Sequence, residues 1–286
     1  VSGGEQVYLK EKWPDVTERG PAVLMVHGYA ALGHLGNYDV PVKDFSGMEF
    51  LAARGYDVFA LDMRGFGQSS RPENITMEDN IADVHAAVTF ILEERGVARL
   101  SLLGGSYGGP IAFTYASRHP DLLERLILLA TAYQFFPPAG QAMKSAIKAA
   151  AEEHKLAYVS MPVSREADAT VVETEQAFLD WRFEVAQSHD LSVPVRPLQD
   201  IPPSPDDASK AVRAVTTPTL LVLGDKDVFA NVEDNIKMLS DLGATEKSLI
   251  IVGNAGHALM YETQRNYIWS LVSSGLPPVA AAPETD

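Results

Sequence analysis

The chain has no cysteine among its 286 residues. That single absence excludes disulfides, thiolate nucleophiles and cysteine-based zinc sites, and leaves the redox compartment undetermined. Basic residues are also scarce: 23 Lys and Arg stand against 38 Asp and Glu, for a formal net charge of −15, with no basic cluster to offset it. A surface this acidic repels phosphodiester backbones and anionic lipid, so no nucleic-acid partner is expected. No apolar run approaches the roughly 20 residues of a membrane-spanning helix, so no membrane span is expected. The N-terminal VSGGEQVYLK lacks a basic region followed by an apolar core, so no signal peptide is expected within this sequence. A cytoplasmic location is the expectation, with secretion left open. Histidine spacing offers no H-E-x-x-H or similar ligand cluster, so neither metal nor cofactor is expected.

What is present is an ordinary globular composition, 46% hydrophobic and 21% charged, enough for one large domain or a core domain carrying an insertion. Short aliphatic runs alternate with longer segments of helical period. PAVLMVHG (21–28), GYDVFALDMRGFG (55–67), ARLSLLGGS (98–106), LERLILLAT (123–131), TPTLLVLGDKD (217–227) and SLIIVGNAGH (248–257) read as buried strands. Segments 44–55, 75–96, 108–120, 231–243 and 262–275 read as the helices between and after them. Continuous aliphatic strands alternating with helices predict a mostly parallel sheet covered on both faces, with VYLKEKWP adding an antiparallel edge strand. The alternation breaks over 133–212, where two amphipathic helical segments precede the proline-rich SVPVRPLQDIPPSPDD, expected to be extended. The expected organisation is a core of 1–132 and 213–275, a helical cap at 133–212 on the sheet's carboxyl edge, and a loosely tethered tail at 276–286.

The stretch LLGGSYGGP (102–110) joins a predicted strand to a predicted helix. It contains no G-x-x-x-x-G-K-[ST] and no G-x-G-x-x-G, which argues against a phosphate cradle. Gly104-Gly105-Ser106-Tyr107-Gly108 does fit G-x-S-x-G. In that context a sharp turn forces the serine into unfavourable backbone angles, and small neighbours at 104 and 108 leave it room. Ser106 Oγ is then exposed above the sheet, and the Tyr107 N–H at the helix N-terminus faces incoming negative charge.

A serine nucleophile needs a base, and the base needs an orienting carboxylate. Of seven histidines, His257 in GNAGHALMYE follows the last aliphatic strand in a glycine-flanked loop on the carboxyl edge. His27 precedes a glycine and reads as loop-shaping, and His85 and His119 fall on helices and read as structural. His34, His154 and His189 fall in loop or cap segments, where a solvated role is the default. Strand 217–223 ends in Gly224-Asp225-Lys226-Asp227, which puts two carboxylates at the correct edge; Asp227 is favoured and Asp225 is the fallback.

Five motifs in this order resemble the α/β-hydrolase superfamily over roughly residues 5–275: HGY (27–29), ALDMRGFGQS (60–69), GGSYGG, GDKD and NAGH. The resemblance implies that the Tyr29 N–H joins that of Tyr107 as an oxyanion donor, and that Asp62, Arg64 and Gly65 belong to a structural turn. It implies a serine hydrolase of carboxylic esters, acting through an acyl-enzyme on a small molecule. A serine argues against the epoxide hydrolases and haloalkane dehalogenases of the superfamily, which attack with aspartate. GGSYGG also resembles the elbow of proline iminopeptidases, and WRFE (181–184) a cap segment whose glutamate binds an amine, which makes an aminopeptidase the second reading. Glu184 otherwise reads as a solvated helix charge. A non-catalytic ligand-binding member of the fold is the third reading, disfavoured because serine, acid and histidine are all retained. Tyr133, Phe136 and Trp181, in or beside the cap, are expected to contact the substrate, and the long loop 31–45 to line its pocket.

Overall fold

Aliphatic runs bounded by glycine or proline become strands, and the 3.6-period segments between them become helices. The computed structural model describes residues 1–14, 19–161, 163, 170–201 and 204–279. In chain order the elements are β1 (Tyr8–Lys12), β2 (Ala22–Val26), α1 (His34–Asn37), α2 (Gly47–Ala52), β3 (Asp57–Asp62), α3 (Met77–Arg95), β4 (Leu100–Gly105), α4 (Gly108–Arg118) and β5 (Leu123–Leu129). There follow α5 (Pro138–His154), β6 (Tyr158–Ser160), α6 (Gln176–Ser188), β7 (Ser192–Pro194), α7 (Val195–Gln199), α8 (Pro205–Ala214), β8 (Thr219–Gly224), α9 (Val232–Asp241), β9 (Lys247–Val252) and α10 (Arg265–Gly275).

Seven strands form one sheet in the order β1-β3-β2-β4-β5-β8-β9. Within this sheet, among the described residues, only the β1–β3 pair is antiparallel. Strand β2 illustrates why the sheet is covered twice. Leu24 and Val26 enter the core cluster that includes Val84 of α3 and Ile111 of α4, whereas Val23 and Met25 enter the opposite cluster with Met48 of α2 and Trp269 of α10. Alternate side chains of a strand point to opposite faces, so a strand apolar at every position must be buried on both. Helix α3 carries its own punctuation: Thr76 and Asp79 form a reciprocal capping box at the start, and Gly96 at φ 62° ends it.

Parallel connectivity brings the carboxyl ends of β2, β4, β8 and β9 to one edge. The register pairs Val26 with Gly104 and Gly224 with Val252, so the loops carrying residues 27–29, 106–107, 225–227 and 253–257 all leave from that edge.

Three expectations differ from the structure. The proline-rich stretch is not extended throughout: it forms β7, paired antiparallel with β6, then α7 and the start of α8. Pro205 takes the first helical position of α8 after the Ser204 cap, where a missing N–H costs nothing. The expected cap boundary at 212 cuts through α8, whose Ala208 and Val212 are buried in the same cluster as Ile111 and Ala112 of α4. The tail also starts out docked. Leu276 is buried and the Tyr56 hydroxyl donates to the Pro277 carbonyl at 3.0 Å, while 280–286 lie outside the described residues. Among the described residues, no helix is long and apolar enough to cross a membrane.

Candidate active site

At the end of β4 the chain must turn into α4 within two residues, and the turn fixes Ser106 at φ 48°, a region L-residues rarely adopt. Two contacts hold it there: the Ser106 N–H donates to the Leu129 carbonyl at 2.8 Å, and the Gly109 N–H donates to the Ser106 carbonyl at 2.9 Å. The flanking glycines are demanded by space. A Cβ at Gly104 would lie 2.5 Å from the Gly108 carbonyl oxygen and 2.6 Å from the Ala112 Cβ, and one at Gly108 would collide with the Val26 carbonyl.

Ser106, His257 and Asp227 form one hydrogen-bonded chain. Ser106 Oγ is 2.8 Å from His257 Nε2, and His257 Nδ1 is 2.9 and 3.0 Å from the two Asp227 carboxylate oxygens. A carboxylate only accepts, so the imidazole proton belongs on Nδ1 and Nε2 is left to accept from the serine hydroxyl. Asp227 Oδ1 also accepts the N–H groups of Phe229 and Ala230, each at 2.8 Å, and its side chain is fully buried. The other candidate, Asp225, is a third exposed and pairs with Lys226 at 3.3 Å, away from the imidazole. Phe229 sets its ring edgewise against His257, with centroids 5.0 Å apart.

The 27–29 loop is locked from three directions. His27 Nδ1–H donates to the Gly28 carbonyl at 2.7 Å, and its Nε2 accepts the Met63 N–H at 3.1 Å. Gly28 N–H donates to the Asn37 side-chain oxygen at 2.9 Å, and Asn37 Nδ2 in turn donates to the Gly33 carbonyl. The Tyr29 hydroxyl donates to the Pro194 carbonyl of β7, and the Tyr107 hydroxyl donates to Asn80 Oδ1 at 2.6 Å. Their rings pack 5.4 Å apart, and burial pushes both hydroxyls well above the ordinary tyrosine range. With the side chains held in this way, the backbone N–H groups of Tyr29 and Tyr107 donate no hydrogen bond to the described residues.

Over Ser106 and His257 lies a cavity of about 290 Å³, lined mostly by apolar side chains. Phe178, Trp181 and Val185 of α6 roof it, Met260 and Tyr261 close one side, and Ala31, Leu32, Gly36 and Asn37 bring in the 31–45 loop. A second, smaller cavity, which also reaches Ser106, is lined in part by Phe136 and Tyr107. Trp181 lines the larger cavity and Phe136 the smaller, whereas Tyr133 lines neither. Tyr133 is buried away from both cavities, its hydroxyl bonded to Asp241 at 2.8 Å and Ser209 at 3.2 Å and its ring edge-on to Phe113. A buried tyrosine goes where its hydroxyl finds partners, and α8 and α9 supply them. His34 is likewise not solvated: it is buried, with Nδ1 2.9 Å from Asp62, which also accepts the His34 and Gln68 N–H groups and so ties the turn after β3.

Sequence reasoning passed over Glu262, five residues beyond His257. Its carboxylate is 1% exposed and accepts the Gly256 N–H at 2.9 Å and the Val172 N–H at 2.8 Å, which fixes the histidine loop against the segment leading to α6. Burial pushes this carboxyl above its ordinary range. An acid ending the apolar run ALMY was the available signal. Asn37 and Asn80 carried none, since an asparagine in a loop or on a helix is usually a surface residue.

A family model described as "Serine aminopeptidase, S33" matches residues 17–264. The chain belongs to this family of α/β-hydrolases. Among this S33 member's relatives is an AB hydrolase superfamily protein, YisY, of Bacillus subtilis, 27% identical over 263 residues that cover 89% of this chain and 91% of that protein. Proline iminopeptidase PfmaB of Pestalotiopsis fici is 26% identical over 86% of this chain and 88% of its own. The likeness to epoxide hydrolase B of Mycobacterium tuberculosis, 30% identical, spans only 36% of this chain and 27% of that protein. Among solved structures, a soluble variant of monoglyceride lipase from Saccharomyces cerevisiae superposes with a TM-score of 0.75 over 95% of this chain and 91% of its own, at 18% identity. The S33 member thus has the α/β-hydrolase fold and belongs among hydrolases.

Proposed function

We propose that the chain is a serine hydrolase that cleaves a carboxylic ester, or a related acyl bond, of a small molecule through an acyl-enzyme. The observation that carries this reading is the 2.8 Å approach of His257 Nε2 to Ser106 Oγ, with Asp227 bonded to the other ring nitrogen. Ser106 Oγ attacks the acyl carbon as His257 Nε2 takes its proton. The carbonyl oxygen, now negative, accepts the free N–H groups of Tyr29 and Tyr107, and the buried Asp227 stabilises the imidazolium. The intermediate collapses, the alkoxide leaves with the proton from His257, and the acyl group stays on Ser106. Water then attacks the ester carbon with His257 as base, the acid departs, and the serine regains its hydrogen.

A serine at the elbow supports acyl transfer over epoxide opening, because an epoxide-opening enzyme of this superfamily attacks with an aspartate there. The peptidase reading draws on the family description and on the resemblance to PfmaB. Against it, Glu184 is exposed and does not line the cavity, and none of the described lining residues is acidic, so nothing among them pairs with a substrate ammonium. We also take the segment from residue 133 to 201, with α5, β6, α6, β7 and α7, as the cap that roofs the site, and assign α8 to the core.

The test is a fluorophosphonate probe followed by p-nitrophenyl esters of graded length beside aminoacyl anilides. Labelling at Ser106, ester turnover, and a loss on the order of 10⁴-fold or more in kcat for Ser106→Ala are expected. An unlabelled Ser106, or a fully active alanine variant, overturns the mechanism; turnover of the anilides alone favours the peptidase.

A further inference from the structure

Ser106 stands where two cavities of very different size meet. Both are lined by Tyr29, Ser106, Met143, Phe229 and His257, but one offers about 290 Å³ and the other about 30 Å³. A scissile carbon attached to Ser106 carries two arms besides its oxygen. With that oxygen turned to the Tyr29 and Tyr107 amides, the two cavities are the spaces left for the arms. On the same measure the smaller has about a tenth of the room of the larger, enough for a short arm of one or two carbons and not for a chain.

The small cavity is also stiff. Its floor is Pro110, in the first turn of α4, with Ala130 and Ala132 beyond the end of β5; its far wall is Leu198 and Ile201, each 1% exposed. That wall is held at several points. Lys144 Nζ donates to the carbonyls of Gln199 at 2.9 Å and Ile201 at 2.6 Å, and Asp200 accepts the Met77 N–H at 3.2 Å. Widening it means breaking these bonds and repacking buried side chains, which close-packed interiors resist. The large cavity is roofed by the aromatic face of α6, and each methylene it takes from water strengthens binding roughly fourfold.

From this asymmetry we propose that the substrate is an ester with one bulky apolar arm and one arm of one or two carbons, and that esters long on both sides are refused. The proposal rests on the ester-hydrolase reading above and deepens it. The wall residue Ile201 sets the limit on the short arm, with Phe136 at the mouth as the second determinant.

Four esters test it in a pH-stat assay: methyl acetate, methyl hexanoate, hexyl acetate and hexyl hexanoate. One of the two singly long esters should exceed both methyl acetate and hexyl hexanoate at least tenfold in kcat/KM. Which of the two wins assigns the small cavity to the acyl or the alcohol half. Ile201→Ala should raise hexyl hexanoate relative to the preferred ester at least fivefold, and Phe136→Ala, at a half-buried position, serves if the first variant does not fold. Hexyl hexanoate turned over as fast as the singly long esters overturns the size rule, as does an unchanged ratio in the folded variants. Fluorophosphonate labelling of Ser106 with none of the four esters hydrolysed also overturns the size rule and leaves the nucleophile standing. Absence of both labelling and turnover brings down the serine-hydrolase reading and this proposal with it.

Discussion

Replacing Asp227 by asparagine removes a charge while leaving the shape of the loop in place. The native Oδ1 accepts the N–H groups of Phe229 and Ala230 at 2.8 Å, so the asparagine keeps its carbonyl oxygen on that side. Its amide nitrogen then takes the place of Oδ2, 3.0 Å from His257 Nδ1, beside the retained oxygen at 2.9 Å. The N–H donors there oppose a proton on Nδ1 and favour the tautomer with the proton on Nε2. Nε2–H points at Ser106 Oγ and can no longer take the serine proton. The imidazolium, if it forms at all, also loses a buried counter-charge. That attraction is worth about 4 kcal/mol at an effective dielectric constant near 20, or about three orders of magnitude in rate. With the wrong tautomer added, Asp227→Asn should lower kcat on the order of 10⁴-fold, with KM for p-nitrophenyl esters moving far less. Because the two backbone bonds survive, Tm should shift by no more than ~3 °C. Asp225→Asn, at the exposed pair with Lys226, should stay within severalfold of the native rate. The reasoning fails if Asp227→Asn keeps a tenth of the native kcat, or if Asp225→Asn loses as much.

Ser106→Gly should abolish turnover yet stabilise the fold: the φ of 48° costs a serine ~1 kcal/mol that glycine does not incur, so Tm should rise ~3 °C, and a fall would show that no strain is stored there. Glu262→Ala leaves the buried N–H groups of Gly256 and Val172 unpaired, which should cost about 2–4 kcal/mol of stability and loosen the His257 loop, lowering kcat; Glu262→Gln, whose carbonyl still accepts both, should restore most of each, and an equally damaged glutamine variant refutes this role. Burial lowers the His27 pKa from 6.5, and the Met63 N–H facing Nε2 disfavours a second ring proton, so below about pH 6.5 the unfolded chain binds a proton that the folded chain refuses. Stability should then fall with falling pH by about 1.4 kcal/mol per unit until the folded pKa is reached; thermal melts from pH 8 to 5.5 should slope more steeply for the native protein than for His27→Asn, and parallel slopes would falsify the assignment.

What was legible in the sequence follows from what is local. A strand buried on both faces is apolar along most of its length, so β2, β3, β4, β5 and β8 announce themselves. A parallel sheet then sends every strand's carboxyl end to one edge, and that rule alone gathers residues 27–29, 106, 225–227 and 257. The choice between Asp225 and Asp227 was not local. It depends on which way a tight turn presents alternate side chains, and the turn is closed by the Phe229 and Ala230 amides bonding back to Asp227.

The cap was legible as helices but not as a surface, and the physical reason lies in how aromatic residues choose their places. Tyr133, Phe136 and Trp181 look alike in sequence as bulky groups near a cap, yet the positions they take differ with their polar atoms and with the chain they follow. Tyr133 stands four residues past the end of β5, where Asp234 accepts its N–H at 3.0 Å and draws the backbone down onto α9. Its hydroxyl then reaches Asp241 and Ser209, and the ring is committed to the core at the cap's first residue. Phe136, three residues on, has no hydroxyl to satisfy, and it lines the small cavity. Trp181 lies on the face of α6 that carries Phe178 and Val185, and the helical period brings all three over Ser106. The backbone anchors that decide these fates, Asp234 for the first and Glu262 for the segment before α6, are buried acids about 100 and 90 residues away in the chain. A pocket wall set by such distant tethers cannot be read from any window of local sequence, although each tether, once seen, explains why its aromatic neighbour lies where it does.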